Sequence, residues 1–87
     1  MVAFVYLLRC ADETLYCGWS TDPARRFAEH EAGTASRYTR SRRPLELVWM
    51  SECSSRSEAM RREARIKRLS AAEKRELIDD FRHARQS

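Results

Sequence analysis

The sequence predicts a small α/β domain of the α+β type, with the element order ββαβαα and a three-stranded antiparallel sheet flanked by helices. Two apolar segments joined by a short polar turn open the chain and predict a β-hairpin. Three helix-capping patterns and one more alternating segment follow them. A chain of 87 residues is enough for one domain, and a domain of this size favours a shallow site on an open face.

The hairpin comprises a strand over residues 2–9, a polar turn over residues 11–14 and a returning strand over residues 15–20. The first strand is almost wholly apolar, which predicts that both of its faces are covered. The register of the two strands then decides which side chains meet.

Tyr6 and Tyr16 share one face of the hairpin only if paired residue numbers sum to an even value, as with Leu8 opposite Tyr16. That register sets Gly18 opposite Tyr6. A glycine inside a strand often marks a close approach by backbone or by a ligand. Two strand tyrosines by themselves are more often packing residues than a site.

A helix follows the hairpin, because Asp22-Pro23 supplies an N-cap and a proline at the first helical position. This helix is predicted to run to about Glu31 and to end at Gly33. Residues 34–43 predict a loop that contains four arginines and no acidic residue, and Pro44 closes it.

The rest of the chain predicts one strand and two helices. Residues 45–50 alternate and predict the third strand. A capping box at residues 55–58 opens a helix that runs to about Leu69, and a second box at residues 70–73 opens a helix that runs to about residue 84. The last helix has its apolar stripe at Leu77, Ile78 and Phe81.

The composition limits what the protein binds and where it works. The net charge is +4 with a pI of about 9.3, and fifteen of the seventeen cations are arginine, which favours a polyanionic partner. No apolar run approaches the ~20 residues of a membrane-spanning helix, and the first residues lack the features of a signal peptide. We therefore expect no membrane partner and a cytoplasmic location.

An odd cysteine count without a C-x-x-C pair argues against a disulfide framework or a zinc site. The cysteines, expected to be free thiols, are Cys10, Cys17 and Cys53.

Two helices contain residues that could carry chemistry. Arg26 and His30 lie one turn apart on one face of the first helix, although each taken alone is better explained as a solvated surface cation and as a capped or partly buried histidine, respectively. On the second helix, Glu63 falls among the apolar positions Met60, Ala59 and Ile66. An ionised carboxylate there is costly unless it is paired or binds a metal. Two interpretations stay open: a salt bridge to Arg26, or a hard divalent cation held by one carboxylate and several waters.

This ordered set of residues resembles the GIY-YIG nucleases. Val5-Tyr6 stands where that family has its first half-motif, and Tyr16-Cys17-Gly18 stands at the second. Arg26 and His30 fall in the matching helix, and Glu63 matches the metal-binding glutamate. The resemblance runs over residues 2–69, some four-fifths of the chain, with the C-terminal helix beyond it. It is closest to the small stand-alone bacterial branch, in which segments like residues 36–40 and 62–68 recur.

The sequence departs from the family pattern at three points. Phe4-Val5 replaces the glycine and isoleucine of the first half-motif, and Cys17 replaces the usual isoleucine or valine of the second. Some branches use an additional asparagine after the glutamate, and this chain contains no asparagine. The tyrosines and Gly18 are intact, so we expect the site to be retained, with its metal affinity and rate in question.

The resemblance implies a single nuclease domain that hydrolyses DNA phosphodiester bonds with one Mg²⁺ or Mn²⁺ on Glu63. Tyr6, Tyr16, Arg26 and His30 would be the other catalytic residues. An RNA substrate stays open, as does a protein partner or dimer that supplies specificity. The expected nucleic-acid-binding residues are Arg37, Tyr38, Arg40, Arg42 and Arg43.

Two other classes of function compete with this interpretation. A non-catalytic nucleic-acid-binding module would show salt-dependent binding without metal-dependent cleavage. A subunit of a larger DNA-processing complex would use the last helix as a docking face and would bind DNA weakly by itself. Neither alternative needs the combination of two tyrosines, an arginine and a glutamate.

Overall fold

The computed structural model describes residues 1–86 of the chain, and within them it confirms the predicted α+β architecture. Three antiparallel strands and four helices follow one another along the chain. They are β1 (Ala3–Arg9), β2 (Leu15–Ser20), α1 (Pro23–Ala32), α2 (Arg37–Arg40), β3 (Glu46–Cys53), α3 (Arg56–Lys67) and α4 (Ala71–Gln86).

The prediction of a continuous loop over residues 34–43 is wrong, because α2 lies inside it. Ser36 caps this short helix: its Oγ accepts a hydrogen bond from the backbone N–H of Thr39 at 3.1 Å. A single turn shows no apolar periodicity, so the pattern along the sequence could not reveal it. The third strand is also longer than predicted and continues to Cys53.

β1 is the central strand of the sheet, in the order β2-β1-β3. The hairpin has the even register that a shared face of the two tyrosines requires: Leu8 lies opposite Tyr16, and Tyr6 lies opposite Gly18. On its other side Tyr6 lies opposite Met50 of β3. Both faces of β1 are buried, as its apolar sequence predicted.

Helices cover the two faces of the sheet and create two small cores. On one face Val5 and Leu7 of β1 pack with Ala59 and Ile66 of α3, and the predicted stripe of α4 closes over them. On the other face Tyr6 and Leu8 form a core to which Phe27 of α1 is added. Each face of the sheet therefore places a different helix next to the edge strand β2.

The caps set the helix boundaries close to those predicted. Asp22 accepts a hydrogen bond from the backbone of Arg25 at 3.2 Å, and Gly33 ends α1 in the left-handed region, at φ 82°. Ser70 and Glu73 form a reciprocal capping box, with N···O distances of 3.0 and 3.1 Å.

The three cysteines are buried and free, as expected. Among residues 1–86, no helix is both long enough and apolar enough to span a membrane.

Candidate active site

The Tyr6 phenol extends from the centre of the sheet toward β2, across the position of Gly18. A Cβ atom at Gly18 would lie 2.5 Å from the Tyr6 Oη and 2.7 Å from Cζ, well inside van der Waals contact. The close approach expected at this glycine therefore comes from the tyrosine side chain itself. Only glycine at this position lets the phenol reach the edge of the sheet.

The Tyr6 hydroxyl contacts the imidazole of His30, a residue that is only 1% exposed. The distance from Tyr6 Oη to His30 Nε2 is 2.9 Å, and His30 Nδ1 lies 2.8 Å from Thr39 Oγ1. Both ring nitrogens thus have a partner, which satisfies a buried imidazole. Burial lowers the pKa of His30, and the positive charge of Arg26 lowers it further, so the ring is neutral at pH 7.

Thr39 is a site residue that the sequence pattern did not single out. It is fully buried, and its hydroxyl contacts both His30 and Ser36, whose Oγ is 3.0 Å away. The signal was present in the spacing of Ser36 and Thr39, which is that of an N-cap and its third residue. It was weak because such pairs are common in loops.

Burial also raises the pKa of Tyr6 above its ordinary value. The negative charge of Glu63 raises the Tyr6 pKa further, since it disfavours a phenolate, as ionisation of the neighbouring Tyr16 would, while Arg26 lowers it. At neutral pH Tyr6 is therefore a protonated phenol, and its acidity responds to charge at Glu63 and Arg26.

Tyr16 begins a run of stacked rings that leads from the site to the hairpin turn. Its ring lies edge-on to His30 at 5.1 Å between centroids and is stacked on Tyr38 at 5.9 Å. The Arg42 guanidinium lies 3.8 Å from the centre of the Tyr38 ring and also bonds Asp12 at 3.0 Å. Tyr38 is therefore already packed by protein groups, which disfavours the expected stacking on an unpaired base.

Arg26 lies one turn before His30 on α1, as the spacing predicted. Its carboxylate partner is Glu29, with Nη1 and Oε1 3.4 Å apart, so the salt bridge between Arg26 and Glu63 is not formed. Its positive charge is nevertheless close enough to lower the pKa values of both Tyr6 and His30.

Glu63 approaches from α3, on the opposite face of the sheet. Its side chain is 21% exposed, and its Oε1 lies 3.5 Å from Nζ of Lys67. The charge of Glu63 reaches both Tyr6 and the buried Cys17 of β2, helping to raise the pKa of the Cys17 thiol to about 11, mainly an effect of burial. The expectation that Glu63 lies among buried apolar residues holds for Ala59 and Ile66, but Met60 is 53% exposed.

The donor set suits a metal ion that needs few protein ligands. Within residues 1–86 no three His, Cys, Asp or Glu side chains come together as a metal cluster. Glu63 therefore offers a single carboxylate, with the Tyr6 phenol near enough to respond to its charge. This fits Mg²⁺ or Mn²⁺, since a hard ion of this kind keeps several waters and shares phosphate oxygens of a substrate.

The arginines of the segment after α1 fall into two groups. Arg42 bonds Asp12 and the carbonyl of Tyr38, and Arg43 bonds the carbonyls of Arg40 and Glu31, all at 3.0 Å. These two hold the segment in place. The side chains of Arg37 and Arg40 are exposed and make no hydrogen bond or ion pair with the residues that the structure describes.

Comparison with known proteins gives a consistent assignment. A family model described as the GIY-YIG catalytic domain matches residues 2–76. A UPF0213 protein of Natronomonas pharaonis is 53% identical over 77 residues, which cover 88% of this chain and 91% of that protein. A UPF0213 protein of Staphylococcus haemolyticus is 44% identical over 77 residues, covering 88% and 94%.

Two structures solved by NMR have the same fold. The UPF0213 protein BH0048 of Bacillus halodurans is 40% identical with a TM-score of 0.59, over 91% of this chain and 84% of that one. The protein EF2693 of E. faecalis is 33% identical with a TM-score of 0.63, over 94% and 88%.

The hydrogen bond between Tyr6 and His30 should depend on the absence of a side chain at residue 18. Gly18→Ala is expected to displace the phenol, because the new methyl group would overlap the Tyr6 hydroxyl. The His30 ring nitrogen shifts in an NMR spectrum should then match those of Tyr6→Phe, which removes the same bond without adding bulk. Wild-type shifts in folded Gly18→Ala would contradict this packing.

Stability should fall as the pH is lowered from 7.5 toward 5.5, because folded His30 resists protonation and the unfolded chain does not. Its folded pKa lies below the unfolded value of about 6.5, so the unfolded state binds the extra proton in this window. The slope for one proton is at most about 1.4 kcal/mol per pH unit.

Urea unfolding of His30→Gln should lose this pH dependence, and the same change at the exposed His83 should keep it. The acidic groups with lowered pKa values, Asp12, Glu58 and Glu73, lose their contribution only in the more acidic range below this window. An identical slope in both variants would remove His30 as its source.

Proposed function

Because the chain belongs to the GIY-YIG family, which acts on DNA and generally uses divalent metal ions, we propose that it is a metal-dependent endonuclease that hydrolyses DNA phosphodiester bonds. The observation that carries the proposal is the convergence at β2. Tyr6 meets His30 at 2.9 Å, and the charges of Arg26 and Glu63 reach the same phenol from opposite faces of the sheet.

Glu63 is the residue that would hold one Mg²⁺ or Mn²⁺. When bound, such an ion polarises the scissile phosphate and stabilises charge on the leaving 3′-oxygen. In the protein alone Lys67 supplies the positive charge that a partly buried carboxylate requires. The ion-pair partner of Glu63 is therefore Lys67, rather than the Arg26 that the sequence left open.

Tyr6 positions the attacking water and accepts its proton, with His30 as the relay. In this role the Tyr6 hydroxyl donates to Nε2 of neutral His30, while Nδ1–H of His30 donates to the Thr39 hydroxyl. Burial is the main reason that the pKa of Tyr6 is raised, so transfer from the phenol to the ring is unfavourable in the protein alone. Neutralising the charge of Glu63 would remove a smaller contribution to that raised pKa.

Arg26 and Tyr16 complete the site on the phosphate side. The Arg26 guanidinium neutralises charge that builds on the phosphoryl oxygens in the transition state. The Tyr16 hydroxyl bonds a phosphate oxygen while its ring stays packed on His30.

Arg37 and Arg40 bind the DNA backbone beside the site, since their guanidinium groups have no partner among residues 1–86. Arg42 and Arg43 shape this segment and add charge to it.

We further propose that the chain is one nuclease domain that works in the cytoplasm on irregular DNA structures during repair or recombination. Its three free thiols suit a reducing compartment. A protein partner or a dimer would add specificity, because a shallow site of this size contacts few nucleotides. A non-catalytic binding module is the alternative, and cleavage assays distinguish the two.

Glu63→Gln is expected to reduce cleavage at least about a hundred-fold, since it removes the charge that would hold the metal. The assay compares nicked, branched, single-stranded and duplex DNA in Mg²⁺ and in Mn²⁺. Glu52→Gln is the matched control, because Glu52 is an exposed glutamate in β3. Salt-dependent binding with no metal-dependent cleavage in the wild type would support the binding module instead.

Arg26→Ala should lower the single-turnover rate on bound DNA about a hundred-fold, by removing transition-state stabilisation. Arg25→Ala provides a close control, because Arg25 is the adjacent arginine and pairs with the same Glu29, at 3.7 Å. If both variants cleave bound DNA at the wild-type rate and Arg26→Ala lowers only the affinity for DNA, then Arg26 contributes to DNA binding and not to transition-state stabilisation.

A further inference from the structure

A second set of arginines lies on α3, away from the proposed site. Arg61, Arg65 and Arg68 are spaced i, i+4 and i+7, so they follow one face of the helix. All three are exposed, and their side chains form no hydrogen bond or ion pair with any residue from 1 to 86. We call these three residues the α3 arginine face.

The acidic residues of α3 form their ion pairs with cations outside this face, although the charge of Arg61 adds to the hydrogen bonds from Ser54 that lower the pKa of Glu58. Glu58 accepts a hydrogen bond from Ser54 Oγ at 2.5 Å and pairs with Arg62 at 3.5 Å. Glu63 pairs with Lys67 and lies toward β2. Like charges one turn apart destabilise a helix, and a polyanion bound to this face would offset that repulsion.

The α3 arginine face and the pair Arg37–Arg40 belong to opposite sides of the sheet. Arg37 and Arg40 are on α2, which packs with α1, whereas α3 covers the other face. The edge strand β2 lies between α1 and α3, and both of these helices contact it. A nucleic acid that crosses the edge at β2 would therefore lie between the two groups of arginines, close to the Tyr6 phenol on which the charge of Glu63 acts.

The spacing of the α3 arginine face suits a phosphate backbone. Seven residues of helix rise about 10 Å, and successive phosphates of one strand are about 3.4 Å apart along the axis of duplex DNA. Arginine and methionine are enriched in protein interfaces, but so are aromatic residues, and α3 contains none, so a protein interface fits this face less well. Met60 is the exposed large hydrophobic residue of this helix.

We propose that the α3 arginine face is a second nucleic-acid surface, which binds the sugar–phosphate backbone of a DNA segment other than the one at Tyr6. This inference rests on the proposed function for the identity of the ligand, and it does not depend on catalysis. The face should bind without sequence preference, because exposed arginines that contact phosphate carry no base-specific information.

The test is DNA binding without a divalent metal, as a function of salt. Replacing the α3 arginine face with glutamine (Arg61→Gln, Arg65→Gln and Arg68→Gln together) should weaken binding to a long duplex at least about ten-fold. The slope of log K against log salt should become shallower by about two to three, because each phosphate that is no longer neutralised lowers the slope by about 0.9.

The control has the same change in net charge on α4. Arg75, Arg82 and Arg85 are also exposed, and α4 places them among Glu76, Asp79 and Asp80. Their triple replacement by glutamine should leave the slope within about one of the wild-type value. Equal effects of the two triple variants would overturn the second surface, because net charge alone would then account for both.

An oligonucleotide too short to reach both surfaces separates them further. The wild type should bind it at two independent sites, of which the α3 triple variant should lose one and Arg37→Gln with Arg40→Gln the other. If the α3 triple variant cleaves and binds long DNA as the wild type does while Glu63→Gln is inactive, the proposed function stands and the second surface fails.

Discussion

The site depends on one packing constraint, the passage of the Tyr6 phenol across Gly18. Any side chain at residue 18 would overlap the phenol, since even a Cβ atom would lie 2.5 Å from its oxygen. The same register that sets these two residues opposite each other also turns Tyr16 toward His30. The hydrogen bond to His30, the cover by Thr39 and the stack of Tyr16 on Tyr38 all follow from this arrangement.

The charges around Tyr6 come from both faces of the sheet, because its phenol extends from the central strand β1 across Gly18 to the edge strand β2. α1 supplies Arg26 on one face and α3 supplies Glu63 on the other. A three-stranded sheet has no room for a deep cavity, but at its edge groups from the two faces can act on the same atom. This explains how a domain of 87 residues can assemble a site without enclosing it. The residues of that site are Tyr6, Tyr16, Arg26, His30 and Glu63.

The sequence predicted the parts of the site that depend on periodicity. The alternation of the hairpin showed which register would place both tyrosines on one face, and the spacing of Arg26 and His30 predicted their common face. It did not predict α2 or the contact of Thr39 with His30, because a single helical turn has no period and a long-range hydrogen bond leaves no local pattern. The partner of Glu63 was also missed, since choosing between Arg26 and Lys67 requires the relative placement of α1 and α3.

Three groups of cations in this protein differ in the residues that they contact, and these contacts indicate what each group does. Arg42 and Arg43 bond carbonyls and Asp12, so they fix the segment that carries α2. Lys67 pairs with Glu63, the carboxylate whose charge acts on Tyr6. The arginines on α2 and on the outward face of α3 have no partner among residues 1–86. Arg75 and Arg82 of α4 have none either, but Asp79 lies one turn from each of them along that helix. In a chain with a net charge of +4, it is this uneven pairing, more than the charge itself, that indicates where a nucleic acid would bind.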